Sequence, residues 1–192
     1  MGCTTSKTTP ITLSDDDIEY LTRNTSYSDQ EIRDWYKGFQ SDCPDGRLTK
    51  KKFLEIYSMF CPDGSPTQFC DHIYRTFDSD GDGYIDFKEF LLAVGITTGS
   101  NPREKLKWAF RMYDINRDGL IDVDEMSKII KSLYQMLGSD SVAFNEQDKK
   151  VQFIFDTMDY NRDGKVSLEE FIDVCNQDDQ LAKLLCVGTA AT

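Results

Sequence analysis

A twelve-residue pattern occurs three times in this chain, over residues 78–89, 114–125 and 159–170. It leaves little freedom to the segments around it. Each copy has oxygen-bearing side chains at positions 1, 3, 5 and 9, a glycine at position 6 and a glutamate at position 12. The first places Asp78, Asp80, Asp82, Gly83, Asp86 and Glu89; the second Asp114, Asn116, Asp118, Gly119, Asp122 and Glu125; the third Asp159, Asn161, Asp163, Gly164, Ser167 and Glu170. Short polar side chains at alternate positions aim their oxygens at one point. A hard cation of the size of Ca²⁺ takes six to eight oxygens at about 2.3–2.6 Å. Position 7 adds a backbone carbonyl (Tyr84, Leu120, Lys165) and the glutamate adds two oxygens at once. The glycine is needed where the loop turns with positive φ. A single Asp-rich turn can match by accident. Three in register, each between apolar segments of helical period, identify three calcium loops.

The spacing exposes a repeat. Asp114 follows Asp78 by 36 residues and Asp159 follows Asp114 by 45. Stepping back 37 residues from Asp78 reaches a degenerate fourth copy at Ser41, with Gly46 at position 6. Here position 3 is Cys43, position 4 is Pro44 and position 12 is Lys52. A thiol replaces an oxygen, a proline stiffens the loop, and an ammonium stands where the bidentate carboxylate belongs, so this copy should not bind calcium.

Loops of this kind pair through a short β-bridge at position 8, which predicts Leu48 beside Ile85 and Ile121 beside Val166. The expected fold is all-α: four EF-hand helix–loop–helix units in two paired lobes, the first hand degenerate. The expected division is an arm at 1–25, an N-terminal lobe at 26–97, a C-terminal lobe at 98–178 and a tail at 179–192. Residues 97–100 are the expected hinge, and residues 138–148 an expected loop. Capping boxes are read at Ser28–Glu31, Ser65–Gln68, Asp86–Glu89 and Ser167–Glu170, with Asn101-Pro102 opening a further helix. Apolar stripes at i, i+3, i+4 and i+7 follow, including Ile32, Trp35, Tyr36, Phe39 and Phe87, Phe90, Leu91, Val94. Leu181, Leu184 and Leu185 suggest a short closing helix.

A formal charge of −12 argues against nucleic acid, which demands a basic face. Three bound divalent cations would halve it. Six scattered cysteines show neither metal spacing nor a disulfide framework, and no apolar run is long enough to span a bilayer, pointing to a reducing, cytoplasmic setting. His72 is the only histidine, and a structural residue. No nucleophile–base set, phosphate loop or catalytic carboxylate pair stands outside the metal loops, so the chain is not expected to be an enzyme.

The N-terminus Met1-Gly2-Cys3-Thr4-Thr5-Ser6 fits the myristoylation pattern, with Gly2 as acceptor. One myristoyl chain gives only marginal membrane binding, K on the order of 10⁴ M⁻¹, so firm anchoring takes a second signal. Palmitate on Cys3 is the candidate, because Lys7 alone makes no polybasic patch.

These features together resemble the neuronal calcium sensor family (recoverin, frequenin, hippocalcin and neurocalcin). The resemblance rests on Met1-Gly2 with Ser6, Trp35-Tyr36-Lys37-Gly38-Phe39, the Cys43-Pro44 defect, the three intact loops and Lys107-Trp108-Ala109-Phe110. It implies an acylated Ca²⁺ sensor that associates with membranes, reversibly or constitutively. It also implies an N-terminal lobe that exposes an apolar groove built from Trp35, Phe39, Phe53, Tyr57, Phe60 and Phe90. Partners implied are kinases, channels, receptors or cyclases presenting an amphipathic helix to a monomer or weak dimer. The rival reading is a non-switching Ca²⁺ buffer. Glutamate at all three twelfth positions disfavours Mg²⁺ as the working ion, though it can occupy a loop at rest.

Overall fold

The computed structural model describes residues 12–59, 65–137 and 144–186. Gly2, Cys3 and Phe60 lie outside them. Each hand is two helices around a loop: α2 (Asp29–Asp42) with α3 (Lys50–Ser58), α4 (Thr67–Phe77) with α5 (Phe87–Thr98), α6 (Pro102–Tyr113) with α7 (Val123–Met136), and α8 (Phe144–Met158) with α9 (Leu168–Gln177). A helix α1 (Asp15–Asn24) precedes the first hand and α10 (Asp179–Leu185) follows the last. The fold is all-α apart from the short strands β1 (Leu120–Ile121) and β2 (Val166–Ser167) and one isolated bridge.

The helices begin where side chains satisfy the amide groups that lack an intrahelical partner. At α2 the Ser28 hydroxyl accepts from the Glu31 amide while the Glu31 carboxylate accepts from the Ser28 amide at 2.8 Å. Equivalent boxes open α5, α7 and α9 at Asp86–Glu89, Asp122–Glu125 and Ser167–Glu170. Asn101 caps α6 ahead of Pro102. The box expected at Ser65–Gln68 does not form. Helix α4 starts at Thr67 without a side-chain cap, and the Ser65 amide donates to the Gln135 carbonyl at 3.2 Å, tying this connection to α7.

The bridges pair the hands as their eighth positions predict: Leu48 with Ile85, and Ile121 with Val166. The Tyr74 hydroxyl adds to the first pair, lying 2.9 Å from the Leu48 carbonyl and 3.0 Å from that of Gly83. The two lobes are not separate bodies. Helix α4 packs against α3 in its own lobe and against α6 and α7 of the next. The ring of Phe77 meets Trp108 edge-on at 5.9 Å, and the buried apolar side chains of both lobes form one cluster. Fully burying a Leu, Ile or Phe contributes about 1.5–3 kcal/mol, so residues such as Leu21, Ile32, Leu91 and Ile129 carry this cluster.

Three sequence expectations are corrected. Residues 15–24, assigned to the arm, form α1, which buries Ile18 and Leu21 against α2 and α5 and is opened by a Ser14–Asp17 capping box. The loop expected over 138–148 yields to helix from Phe144, anchored where Lys131 reaches Asp148 at 2.7 Å. The hinge expected over 97–100 shortens, because α5 continues through Thr98 and ends at Gly99. A Cβ on Gly99 would stand 2.7 Å from the Gly95 carbonyl oxygen, a backbone atom that cannot swing aside.

Two outcomes follow. Gly99→Ala should destabilise the protein by about 1–3 kcal/mol in denaturant titration, since the clash needs a backbone shift; an unchanged midpoint contradicts the packing. Burial depresses the half-buried His72 imidazole from 6.5 to about 4. The unfolded chain therefore takes up a proton that the folded chain refuses, and stability falls as pH drops through that window. His72→Gln should flatten the loss seen between neutral pH and about pH 5; an equal loss in both proteins contradicts it.

Candidate metal centres

The entering helix of each intact hand delivers an aspartate at its C-terminus, and the loop folds back onto it. Asp78 accepts the Gly83 amide at 3.1 Å, Asp114 accepts that of Gly119 at 3.0 Å and Asp159 that of Gly164 at 2.9 Å. The carboxylates at position 5 accept the amide two residues on: Asp82 from Tyr84 at 2.8 Å, Asp118 from Leu120 at 2.9 Å, Asp163 from Lys165 at 2.9 Å. Side-chain oxygens of Asp78, Asp80 and Asp82 consequently lie within 4.8 Å of one another. Asn116 and Asn161 take the third position in the other loops, each accepting from the position-5 amide at 2.8 Å.

The closing glutamate joins the two ends of the loop. One oxygen caps the exiting helix by accepting the position-9 amide: Glu89 from Asp86 at 3.1 Å, Glu125 from Asp122 at 3.0 Å, Glu170 from Ser167 at 2.9 Å. The other reaches the loop entrance in two hands. Glu89 accepts the Ser79 amide at 2.8 Å, and Glu125 accepts those of Ile115 and Asn116 at 3.0 Å each. In the last hand the second oxygen, Glu170 Oε1, is buried and has no hydrogen-bond partner.

The electrostatics point one way. Asp78, Asp114, Asp159, Glu125 and Glu170 are 2–8 % exposed, and among the described residues none forms a direct ion pair with lysine or arginine, Arg75 acting on Asp114 and Glu125 only from a greater distance. Burial also pushes the Asp86 carboxyl up. Buried anions require a partner, and an orphaned carboxylate oxygen inside a ring of oxygens fits a cation with oxygen-only ligation. Charge, donor type and loop form agree with a bound divalent ion.

The periodic pattern missed one constraint. Position 4 takes a left-handed backbone in every intact loop, with φ of 75° at Gly81 and 61° at both Arg117 and Arg162. Glycine would have signalled this once; arginine signals nothing. The same position in the first hand is Pro44, whose ring holds φ near −65° and cannot follow that path. There α2 runs on through Asp42 to a cap at Cys43, two positions deeper into the loop than α4 or α6. Cys43 is buried, and burial raises its thiol.

The aromatic groove is only partly as expected. Trp35, Phe39 and Phe90 come together, with ring centroids 5.9 Å (Trp35–Phe90) and 5.4 Å (Phe39–Phe90) apart. They line a cavity of about 430 Å³ with Cys43, Leu48 and Ile56. Phe53 and Tyr57 turn away from it. Phe53 packs on Tyr74 and Phe77 at 5.6 and 5.5 Å, with Tyr57 stacked on it at 6.0 Å, because α3 shows that face to α4. No helix among the described residues is long and apolar enough to cross a membrane.

The EF-hand domain pair family matches residues 103–175 and the EF hand domain family matches residues 69–95. Recoverin of Homo sapiens is 34% identical over 178 residues, covering 90% of this chain and 89% of its own length. Neuronal calcium sensor 1 of Lymnaea stagnalis is 39% identical over 189 residues, 96% of each chain. S-modulin of Aquarana catesbeiana is 36% identical over 137 residues, 71% of this chain and 68% of its own. Loops, pairing and near full-length likeness agree: the chain belongs to the neuronal calcium sensor family of EF-hand proteins.

Proposed function

We propose that this protein is a Ca²⁺ sensor that holds three ions and signals by opening its N-terminal lobe. The observation that carries the reading is the set of buried loop carboxylates without a cationic partner, with Glu170 Oε1 its clearest member. The ligands are Asp78, Asp80, Asp82, Tyr84, Asp86 and Glu89 in the second hand and Asp114, Asn116, Asp118, Leu120, Asp122 and Glu125 in the third. In the fourth they are Asp159, Asn161, Asp163, Lys165, Ser167 and Glu170, with Tyr84, Leu120 and Lys165 contributing carbonyls. Mg²⁺ can take a loop at rest.

A bound Ca²⁺ supplies the positive charge that lets these oxygens converge. The glutamates do the mechanical work. Each is the third residue of an exiting helix, so movement of its carboxylate toward the loop carries that helix with it and opens the hand. In the second hand the helix is α5, which bears Phe90 at the aromatic cavity. The opened cavity, walled by Trp35, Phe39 and Phe90, would take the apolar face of a partner's amphipathic helix at i, i+3 and i+4 positions. Myristate on Gly2 and palmitate on Cys3 would hold the protein at a membrane surface in the cytoplasm. Effects on enzymes would then come through the bound partner.

Calorimetric titration should give three Ca²⁺ equivalents, and Glu89→Gln, Glu125→Gln and Glu170→Gln should each remove one; a count still at three contradicts the ligand assignment. Trp35 is 39 % exposed at the cavity while Trp108 is buried. A sensor should therefore show a Ca²⁺-dependent change in tryptophan fluorescence that Trp35→Phe abolishes. A buffer shows no such change in either protein.

A further inference from the structure

Within each lobe the two loops are linked by backbone pairing at position 8. The link between the second and third hands crosses the lobe boundary and is made by two arginines. Arg75, in the last turn of α4, donates through Nη1 to the carbonyls of Asp114 at 3.0 Å and Ile115 at 3.2 Å, and through Nη2 to that of Met112 at 2.7 Å. Arg117, at position 4 of the third hand, donates through Nη2 to Asp78 at 2.9 Å and Arg75 at 3.1 Å, and through Nη1 to Ser79 at 3.4 Å. The acceptors are carbonyls at the ends of α6 and α4, which lack intrahelical donors and carry the negative end of the helix dipole. A planar guanidinium fork suits two or three such acceptors at once.

The arrangement is reciprocal. Each arginine grips the carbonyls at positions 1 and 2 of the other hand's loop. Position 2 is where the closing glutamate also reaches in, since the Ser79 amide donates to Glu89 at 2.8 Å and the Ile115 amide to Glu125 at 3.0 Å. A single peptide residue thus separates each arginine from the glutamate of the opposite loop. Arg162 has the same loop position and the same φ of 61° yet makes no side-chain hydrogen bond among the described residues. The left-handed turn therefore comes from the loop, and the clasp from what lies across from it.

We infer that Arg75 and Arg117 are positioning residues that couple metal binding in the second hand to metal binding in the third, an inference resting on the loop assignment proposed above. Ordering of the turn from Asp114 to Asp118 sets the backbone of Arg117, whose fork then holds Asp78 and Ser79 where the second loop needs them. Arg75 returns the effect through Ile115. Neither lobe binds as though the other were absent.

The test uses the full-length protein and Ca²⁺ alone. The amides of Gly83 and Gly119, donated to Asp78 and Asp114, serve as loop-resolved reporters in nitrogen-edited NMR titrations. With Arg117 present, Glu125→Gln should weaken binding at the second loop by about fivefold or more. Arg117→Gly keeps the turn, because glycine adopts positive φ freely, and in that background Glu125→Gln should change the second loop by less than about twofold. Arg117→Asn, also tolerant of that conformation, should behave alike. The proposal is overturned if the second loop ignores Glu125→Gln in the otherwise native chain, or if the loss persists undiminished without Arg117. A Gly119 amide that titrates normally in Glu125→Gln removes the loop assignment itself, so the two failures are distinguishable.

Discussion

In the second and third hands the glutamate closing the loop belongs to two structures at once, and the opening proposed for the molecule depends on that double membership. Through one oxygen it caps its exiting helix, as Glu125 does for the Asp122 amide at 3.0 Å. Through the other it meets the loop entrance, as Glu89 does at Ser79. A capping-box contact of this kind is worth about 0.3–1.5 kcal/mol of helix stability, and a buried carboxylate left without a partner costs about 1–3 kcal/mol or more. Any cation settling among the loop oxygens acts on the glutamate, and the glutamate is inseparable from the helix it caps. Loop chemistry and helix orientation share one side chain.

The first hand shows what remains when that side chain is lost. Lys52 occupies the twelfth position and Pro44 the fourth, so neither the bidentate anion nor the left-handed turn is available. The hand nonetheless keeps its bridge from Leu48 to Ile85 and buries Ile32 and Phe39. Its Trp35 and Phe39 face a cavity shared with Phe90, on the helix that the second hand's glutamate caps. A hand lacking the ligand set of an intact loop thus shares a cavity with one that has it.

The loops, the bridges and the caps at Ser28, Asp86, Asn101 and Ser167 were legible in the sequence because each is a local arrangement, set by residues within twelve positions or by register. Helix α1 was also marked, by Ser14 and Asp17 and by Ile18 and Leu21, but two apolar positions are a thin stripe, and the acylation pattern at the N-terminus assigned them to the arm. The facing of Phe53 and Tyr57 was not legible, because periodicity says which residues share a helix face and not which helix that face meets. The arginine clasp lies further from reach. It joins residues about forty positions apart, as between Arg75 and Ile115 or between Arg117 and Asp78, and it depends on a positive φ at an arginine. No composition or spacing rule marks that.

On the function proposed, the buried loop carboxylates need divalent cations to be stable where they are. Chemical denaturation in chelator and in saturating Ca²⁺ addresses it without assuming a partner, a lipid or a target. Each site filled in the folded chain alone adds about 2.7 kcal/mol when Ca²⁺ stands at 100 times its dissociation constant. The midpoint should rise by several such increments in Ca²⁺. Coincident unfolding curves in chelator and in Ca²⁺ would contradict it.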